Sequence, residues 1–285
     1  MKGLDLKHRM HGARETVKIT RAMQLISASK MTKTEKRMES SREFFISMQR
    51  IKNKIGIVNH PFYKDNGGNR TVFVVVAGDK GLCGDYNHRV LEKAEEEIRL
   101  AKTVKVYAIG QYCREYFNKR NIRVSNAYIH SLQEPYTGDA KSLTNELAEM
   151  FLKKETDKAV IIYTHVPKEM RSAQHVEVKT LLPIEYPDKD EFWGTEKTNL
   201  ESLKDVTDIL KQYIWAQIYH GLCCAGYAVN FKRMTAMQQA TTNGEKLVNE
   251  LNVRYNHLRQ ESITTELIDA GTAKIAVRNM TGDGE

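Results

Sequence analysis

The chain has 285 residues, of which 41% are hydrophobic and 28% are charged, and its formal net charge is +8 at pH 7. No apolar run approaches the roughly 20 residues that a membrane-spanning helix needs, which excludes a protein built on apolar spans. The N-terminus lacks the apolar stretch of a signal peptide, and the four cysteines and nine histidines lack metal-ligand spacing. We therefore expect a cytosolic chain with buried free thiols, reaching a membrane only through partners.

The positive charge is concentrated in the first segment, where residues 1–58 contain 14 Lys and Arg against 5 Asp and Glu. A basic helix can bind nucleic acid, an anionic membrane surface or an acidic protein. Residues 1–43 contain no Phe, Trp or Tyr, although proteins that bind nucleic acid usually place aromatic residues beside their cations. The segment is therefore predicted to be a solvated helix or to face an acidic protein.

The distribution of proline predicts long helices at both ends of the chain. All five prolines lie between positions 61 and 187, and a proline inside a helix costs about 3 kcal/mol. Each terminal segment carries an apolar stripe with the three- and four-residue spacing of a coiled coil. The stripes are Leu6, Met10, Ala13, Val17 and Thr20 in the first segment and Val248, Leu251, Tyr255 and Leu258 in the last. We predict that these segments pack on each other.

Two departures from a simple coiled coil stand out in these segments. Between Ile19 and Ala28 the apolar residues cover more than one helix face, so a single partner helix cannot cover them all. In the last segment, Gly221 or Gly226 predicts a break in the helix.

The middle of the chain alternates between strand and helix patterns. We predict strands at 71–77, 104–110, 122–128 and 158–166, an edge or antiparallel strand at 174–183, and helices at 88–102, 111–120 and 139–155. Such alternation is typical of a mostly parallel sheet with helices on its faces. The fold class is therefore α/β, a Rossmann-like domain inserted in a long antiparallel coiled coil. The predicted domains are 1–58, 59–198 and 199–285.

The glycine-rich turn from Gly78 to Asn87 follows the first strand and is either a structural turn or a phosphate site. It lacks both common nucleotide-binding patterns, and Asp79 and Asp85 would repel phosphate. The sequence offers no catalytic constellation. We predict no catalytic, cofactor-binding or metal-binding residue in this chain.

Three stretches together resemble the γ subunit of the rotary proton-driven ATP synthase. They are KITRAMQLISASKM at 18–31, DKGLCGDYN at 79–87, and the segment 233–270, which ends in RQESITTELIDA. The resemblance implies a central rotor that turns inside three α and three β subunits, beside an ε subunit and on a membrane ring of c subunits. It also implies that ATP, ADP and Mg belong to the α and β subunits, and that the chain is peripheral on the cytoplasmic face of a bacterial membrane.

The resemblance further implies six residues that contact the surrounding subunits: Arg21, Met23, Arg233, Gln260, Thr264 and Glu266. The chain departs from the family pattern at Asp85, where a glycine is common, at His220–Asn230, which replaces a more acidic stretch, and in its polar C-terminal tail. Two alternatives remain: a nucleotide-sensing regulator with coiled-coil arms, and a coiled-coil scaffold that dimerises between chains.

Overall fold

The computed structural model describes residues 3–55, 59–125, 132, 134–186 and 203–281. In chain order, the elements are helix α1 (Gly3–Ile55), a 3-10 turn (Pro61–Tyr63), β1 (Arg70–Val76), α2 (Tyr86–Leu100), β2 (Lys102–Ile109), α3 (Gln111–Lys119), β3 (Val124–Ser125), α4 (Thr137–Leu152), β4 (Lys158–His165), β5 (His175–Leu182) and α5 (Leu203–Thr281). They form two compact units. We call Met1–Leu25 with Met237–Glu285 the helix-pair unit, and Ile26–Ala236 the sheet-bearing unit.

The sheet-bearing unit contains one five-stranded sheet with the order β3-β2-β1-β4-β5. Strand β1 runs parallel to both β2 and β4, and β2 runs parallel to β3. Strand β5 runs antiparallel to β4 at the edge, with His165 opposite His175. The structure confirms the predicted α/β fold.

Helices cover both faces of this sheet, which explains the continuous apolar runs of its strands. Val72, Val74 and Val76 point to the face covered by α1, α4 and α5, where Leu147 and Ile214 are fully buried. The alternate residues Phe73 and Val75 point to the opposite face, which α2 and α3 cover. The period of two along β1 thus places its side chains in two separate cores.

In the helix-pair unit, the start of α1 packs in antiparallel orientation against α5 as far as Leu258. Leu6, Met10 and Leu251 form its buried core. Further along α1, Val17 packs against Gly244 and Thr20 bonds to Thr241, with 2.8 Å between their hydroxyl oxygens. Later residues of α1 therefore contact earlier residues of α5, as in an antiparallel pair. Both predicted stripes lie on the paired faces. The pairing occurs within one chain.

The predicted break in the last helix is wrong, because α5 is continuous from Leu203 to Thr281. A Cβ atom on Gly226 would lie 2.5 Å from the Leu132 carbonyl oxygen, and one on Gly221 would lie 3.1 Å from Ile161 Cδ1. These glycines allow neighbouring groups to approach the helix closely, rather than interrupting it.

Several boundaries also differ from the sequence prediction. The third strand was expected at 122–128, but the described strand β3 contains only Val124 and Ser125, and 126–128 lie outside the described residues. Residues 187–198, at the end of the predicted middle domain, also lie outside them. The three domain ranges stay a prediction, and the compact units group the chain differently, because 26–55 and 203–236 pack with the sheet.

Candidate functional site

The apolar patch of the first helix is exposed in the isolated chain. Ile19, Leu25 and Ile26 have 60%, 66% and 55% of their surface accessible. Large apolar side chains left in water along one helix are typical of a surface that a partner covers. This agrees with the expectation that a single partner helix cannot cover every face of this segment.

A second exposed surface lies where α5 continues beyond its pairing with α1. The last side chain of α5 that packs against the paired core is Leu258, and all residues from 259 to 273 are exposed. We call residues 259–281 the overhang. Between 259 and 273, where the side chains are described, its large exposed apolar residues are Ile263, Leu267 and Ile268. Residues three or four positions apart share a helix face, so Gln260 and Thr264 lie on the face of Ile263 and Leu267.

Five of the six predicted contact residues lie in the helix-pair unit. Arg21 is exposed and forms an ion pair with Glu245 of α5, while Met23 is half-buried. Within the overhang, the Thr264 hydroxyl donates to the Gln260 carbonyl at 2.9 Å, and Ser262 donates to Glu266 at 3.3 Å. Gln260 and Thr264 are therefore brought together, whereas Arg21 has its partner within the chain.

The sixth residue, Arg233, belongs to the sheet-bearing unit and contacts the glycine-rich turn. Its Nη2 and Nε atoms donate to the carbonyl oxygens of Lys80 at 3.3 Å and Gly81 at 3.4 Å. Beside it, Lys232 binds Asp85 at 3.2 Å. The structure thus gives Arg233 a role in holding the turn, which sequence reasoning missed because the contact joins residues 152 positions apart.

The interior of that turn is occupied by a side chain. Asn87 Oδ1 accepts from the Gly78 amide at 2.8 Å, and Asn87 Nδ2 donates to the Lys80 carbonyl at 3.3 Å. Burial raises the pKa of the adjacent Cys83 thiol. The Gly78 amide is therefore not free to bind phosphate, and this disfavours a nucleotide site at the turn.

The structure also brings together three buried polar residues that sequence reasoning did not connect. His220 Nδ1 lies 3.0 Å from Ser41 Oγ, and His220 Nε2 lies 3.4 Å from Cys224 Sγ. The spacing of His220 and Cys224, four residues apart on a helix, was a usable signal because such residues are neighbours. Ser41 could not have been found this way, because it comes from another helix.

The described residues lack two features of membrane-spanning or metal-binding proteins. No helix there combines the length and apolar content that crossing a membrane requires. Nor does any group of three or more His, Cys, Asp or Glu side chains in those ranges have an arrangement that could hold a metal ion. All four cysteines are buried and free, as the sequence predicted.

Comparisons with known proteins agree with the motifs and the fold. The family model described as ATP synthase matches residues 3–276. The ATP synthase gamma chain of Halothermothrix orenii is 33% identical over 93% of this chain and 95% of its own length. The "ATP synthase gamma chain, sodium ion specific" of Acetobacterium woodii is 28% identical, covering 92% and 94%.

Solved structures show the same fold. A chain of the Euglena gracilis mitochondrial ATP synthase, solved as OSCP/F1/c-ring, superposes with a TM-score of 0.70 at 14% identity, covering 99% of this chain and 97% of that one. The likeness spans both the long helices and the sheet. Because the family model matches residues 3–276 and a relative is 33% identical over 95% of its own length, the chain belongs to the family of ATP synthase gamma chains.

Proposed function

We propose that this chain is the central rotor shaft of an ATP synthase and transmits torque between a membrane ring of c subunits and the catalytic β subunits. The observation that carries the proposal is the family match over residues 3–276, which includes the paired helices and the sheet-bearing unit together. We also propose that proton flow drives this rotation. This point needs its own test, because one similar gamma chain is named as sodium ion specific.

The two exposed apolar surfaces support a shaft that works inside other subunits. We propose that three α and three β subunits surround the overhang and the patch at Ile19, Leu25 and Ile26. Burying apolar surface contributes about 25 cal/mol per Å², so these side chains would stabilise an assembled complex. The basic first helix would meet acidic groups of that ring, where charge sets orientation more than affinity.

We propose that the six predicted residues contact the surrounding α and β subunits. The structural support for this contact differs from one residue to another. Gln260 and Thr264 share the exposed face of the overhang, and Glu266, Arg21 and Met23 lie in the same unit. Arg233 also holds the glycine-rich turn, so a loss of function in an Arg233 variant would not by itself identify a contact with another subunit.

We propose that the chain is a non-catalytic subunit of the ATPase complex. ATP, ADP and Mg would bind to the α and β subunits, and the occupied Gly78 amide supports this division of labour. The sheet-bearing unit would contact the ε subunit and the c ring. The chain would then be peripheral on the cytoplasmic face of a bacterial membrane, held there by its partners and free of nucleic acid.

Co-purification tests this proposal against the nucleotide-sensing alternative. An affinity-tagged chain expressed in its native cell should be recovered with two larger nucleotide-binding subunits in threefold excess over it. The purified chain alone should not retain ATP on a filter. Recovery of the chain without those subunits, together with tight ATP binding, would favour the sensor.

We expect Leu267→Asp to weaken binding of the chain to a purified ring of α and β subunits at least about tenfold. Burying a leucine contributes about 1.5–3 kcal/mol, and 1.4 kcal/mol corresponds to a factor of ten. The dissociation constant can be measured by fluorescence anisotropy of the labelled chain. Thr265→Asp is the matched control, because position 265 faces away from Leu267 on the same exposed helix. Equal affinities of the two variants would contradict the assignment of this face.

A further inference from the structure

The buried residues Ser41, His220 and Cys224 form a directional hydrogen-bond chain between two helices of the sheet-bearing unit. The Ser41 hydroxyl donates to the Met38 carbonyl at 2.8 Å. A hydroxyl has one hydrogen, and a carbonyl oxygen can only accept. While this hydrogen lies on the Met38 carbonyl, Ser41 Oγ accepts the bond at 3.0 Å from His220 Nδ1, which places the imidazole hydrogen on Nδ1. Ser41 also bonds to the neighbouring Cys223 thiol.

The other imidazole nitrogen then carries a lone pair, and Cys224 supplies the donor. Burial raises the pKa of the Cys224 thiol to about 12, so the thiol keeps its hydrogen. Its sulfur lies 3.4 Å from His220 Nε2. In the chain Cys224–His220–Ser41, every hydrogen therefore has an acceptor when the imidazole is neutral. A second proton on the imidazole would occupy Nε2, so Nε2 could no longer accept; the thiol hydrogen would have to turn away, and the weakly accepting sulfur would take the place of a donor.

The surroundings of His220 also disfavour a charged imidazole. Burial is the largest cause that lowers the pKa of His220, to about 4, and nearby positive groups lower it further. The charged or titratable groups that face it are Arg42 from α1, His165 from β4, Glu177 and Lys179 from β5, and Cys224 from α5.

Glu177 is the one carboxylate among these groups, and it already has hydrogen-bond partners other than His220. Glu177 accepts from the Tyr163 hydroxyl at 2.9 Å and lies 3.1 Å from His165 Nδ1. Burial raises the pKa of Glu177, but the bonds from His165 and Tyr163 outweigh it and lower the pKa to about 2. Glu177 thus stays ionised, yet its bonded oxygen does not reach His220 in the described structure.

We propose that Ser41, His220 and Cys224 act as an acid-sensitive latch, which holds α1 against α5 while His220 is neutral and releases this contact when His220 is protonated. An ordinary histidine pKa of 6.5 applies in the open state. The stabilisation is fully present above pH 6.5, and it is lost as the pH falls from 6.5 towards 4, because the open state then binds one more proton than the closed state.

Histidine NMR of the full chain tests the hydrogen-bond direction without any substitution. With ¹⁵N-labelled histidine in the deuterated protein, His220 should be the Nδ1–H tautomer at pH 7.5 and should stay neutral at pH 5.5. An Nε2–H tautomer, or an imidazolium at pH 5.5 in the folded chain, would overturn the latch.

Amide hydrogen exchange of the full chain tests the release. After correction for intrinsic exchange rates, opening of the segments around Ser41 and His220 should increase about thirtyfold from pH 7.5 to pH 5.0, since linkage of one proton gives about tenfold per pH unit below 6.5. His220→Gln should reduce this increase to less than about threefold. His88→Gln is the control, because His88 is exposed on α2, and it should respond as the unsubstituted chain does. The same increase in His220→Gln as in the unsubstituted chain would refute the proposal.

Discussion

Gly110→Ala should lower the free energy of unfolding of the sheet-bearing unit by roughly 2–5 kcal/mol. Gly110 lies between β2 and α3 with φ of +96°, a backbone conformation that residues with a Cβ atom adopt only under strain. A Cβ atom there would also lie 2.1 Å from the Ala77 carbonyl oxygen. That oxygen belongs to the backbone, so relief requires the end of β1 to move.

Urea unfolding followed by circular dichroism measures this change. Gly81→Ala is the matched control in the same unit, because a Cβ atom at Gly81 meets no atom within 4 Å and its backbone has no positive φ. We expect the control to change stability by less than about 1 kcal/mol, in the stabilising direction. Comparable losses in the two variants would mean that Gly110 is not placed as described.

Leu251→Ala should destabilise the helix-pair unit by about 2–3 kcal/mol. Leu251 is 4% exposed and packs with Leu6 and Met10 in the only buried cluster described for that unit. Removing a buried leucine side chain costs the lost transfer free energy and leaves a cavity. Because so few side chains form this core, the remaining contacts have little capacity to compensate.

Amide hydrogen exchange of residues 3–25 and 237–258 detects this loss locally. Val253→Ala provides the comparison, since Val253 is 68% exposed on the same helix, and it should change stability by less than about 0.5 kcal/mol. If Leu251→Ala leaves exchange in both segments unchanged, the antiparallel pairing at this level is wrong.

The sequence predicted the fold well where local patterns are strong. The absence of proline predicted the two long helices, and the stripe from Leu6 to Thr20 lies on the paired face of α1. The alternating pattern of the middle segment predicted a strand at 71–77 in a sheet with helices on its faces, and β1 is such a strand. These patterns lie within short stretches of the chain, so one sequence displays them directly.

The sequence predicted less where distant residues determine the outcome. Gly226 looked like a helix break, but its lack of a side chain admits the Leu132 carbonyl. Arg233 was assigned to a partner contact, whereas it also binds the turn at Lys80 and Gly81. The pairing of Ser41 with His220 joins residues 179 positions apart. No local pattern encodes these contacts, because they arise only after the helices and the sheet have packed.

Single-molecule observation of the assembled complex tests the rotor role most directly. The complex is fixed through its β subunits, and a bead is attached to the new thiol of Lys153→Cys, an exposed position of the sheet-bearing unit. The four native cysteines of this chain are buried, so the bead should react with the new thiol. With ATP present, the bead should turn continuously in one direction. A bead that stays still while the same complexes hydrolyse ATP would contradict a rotating shaft.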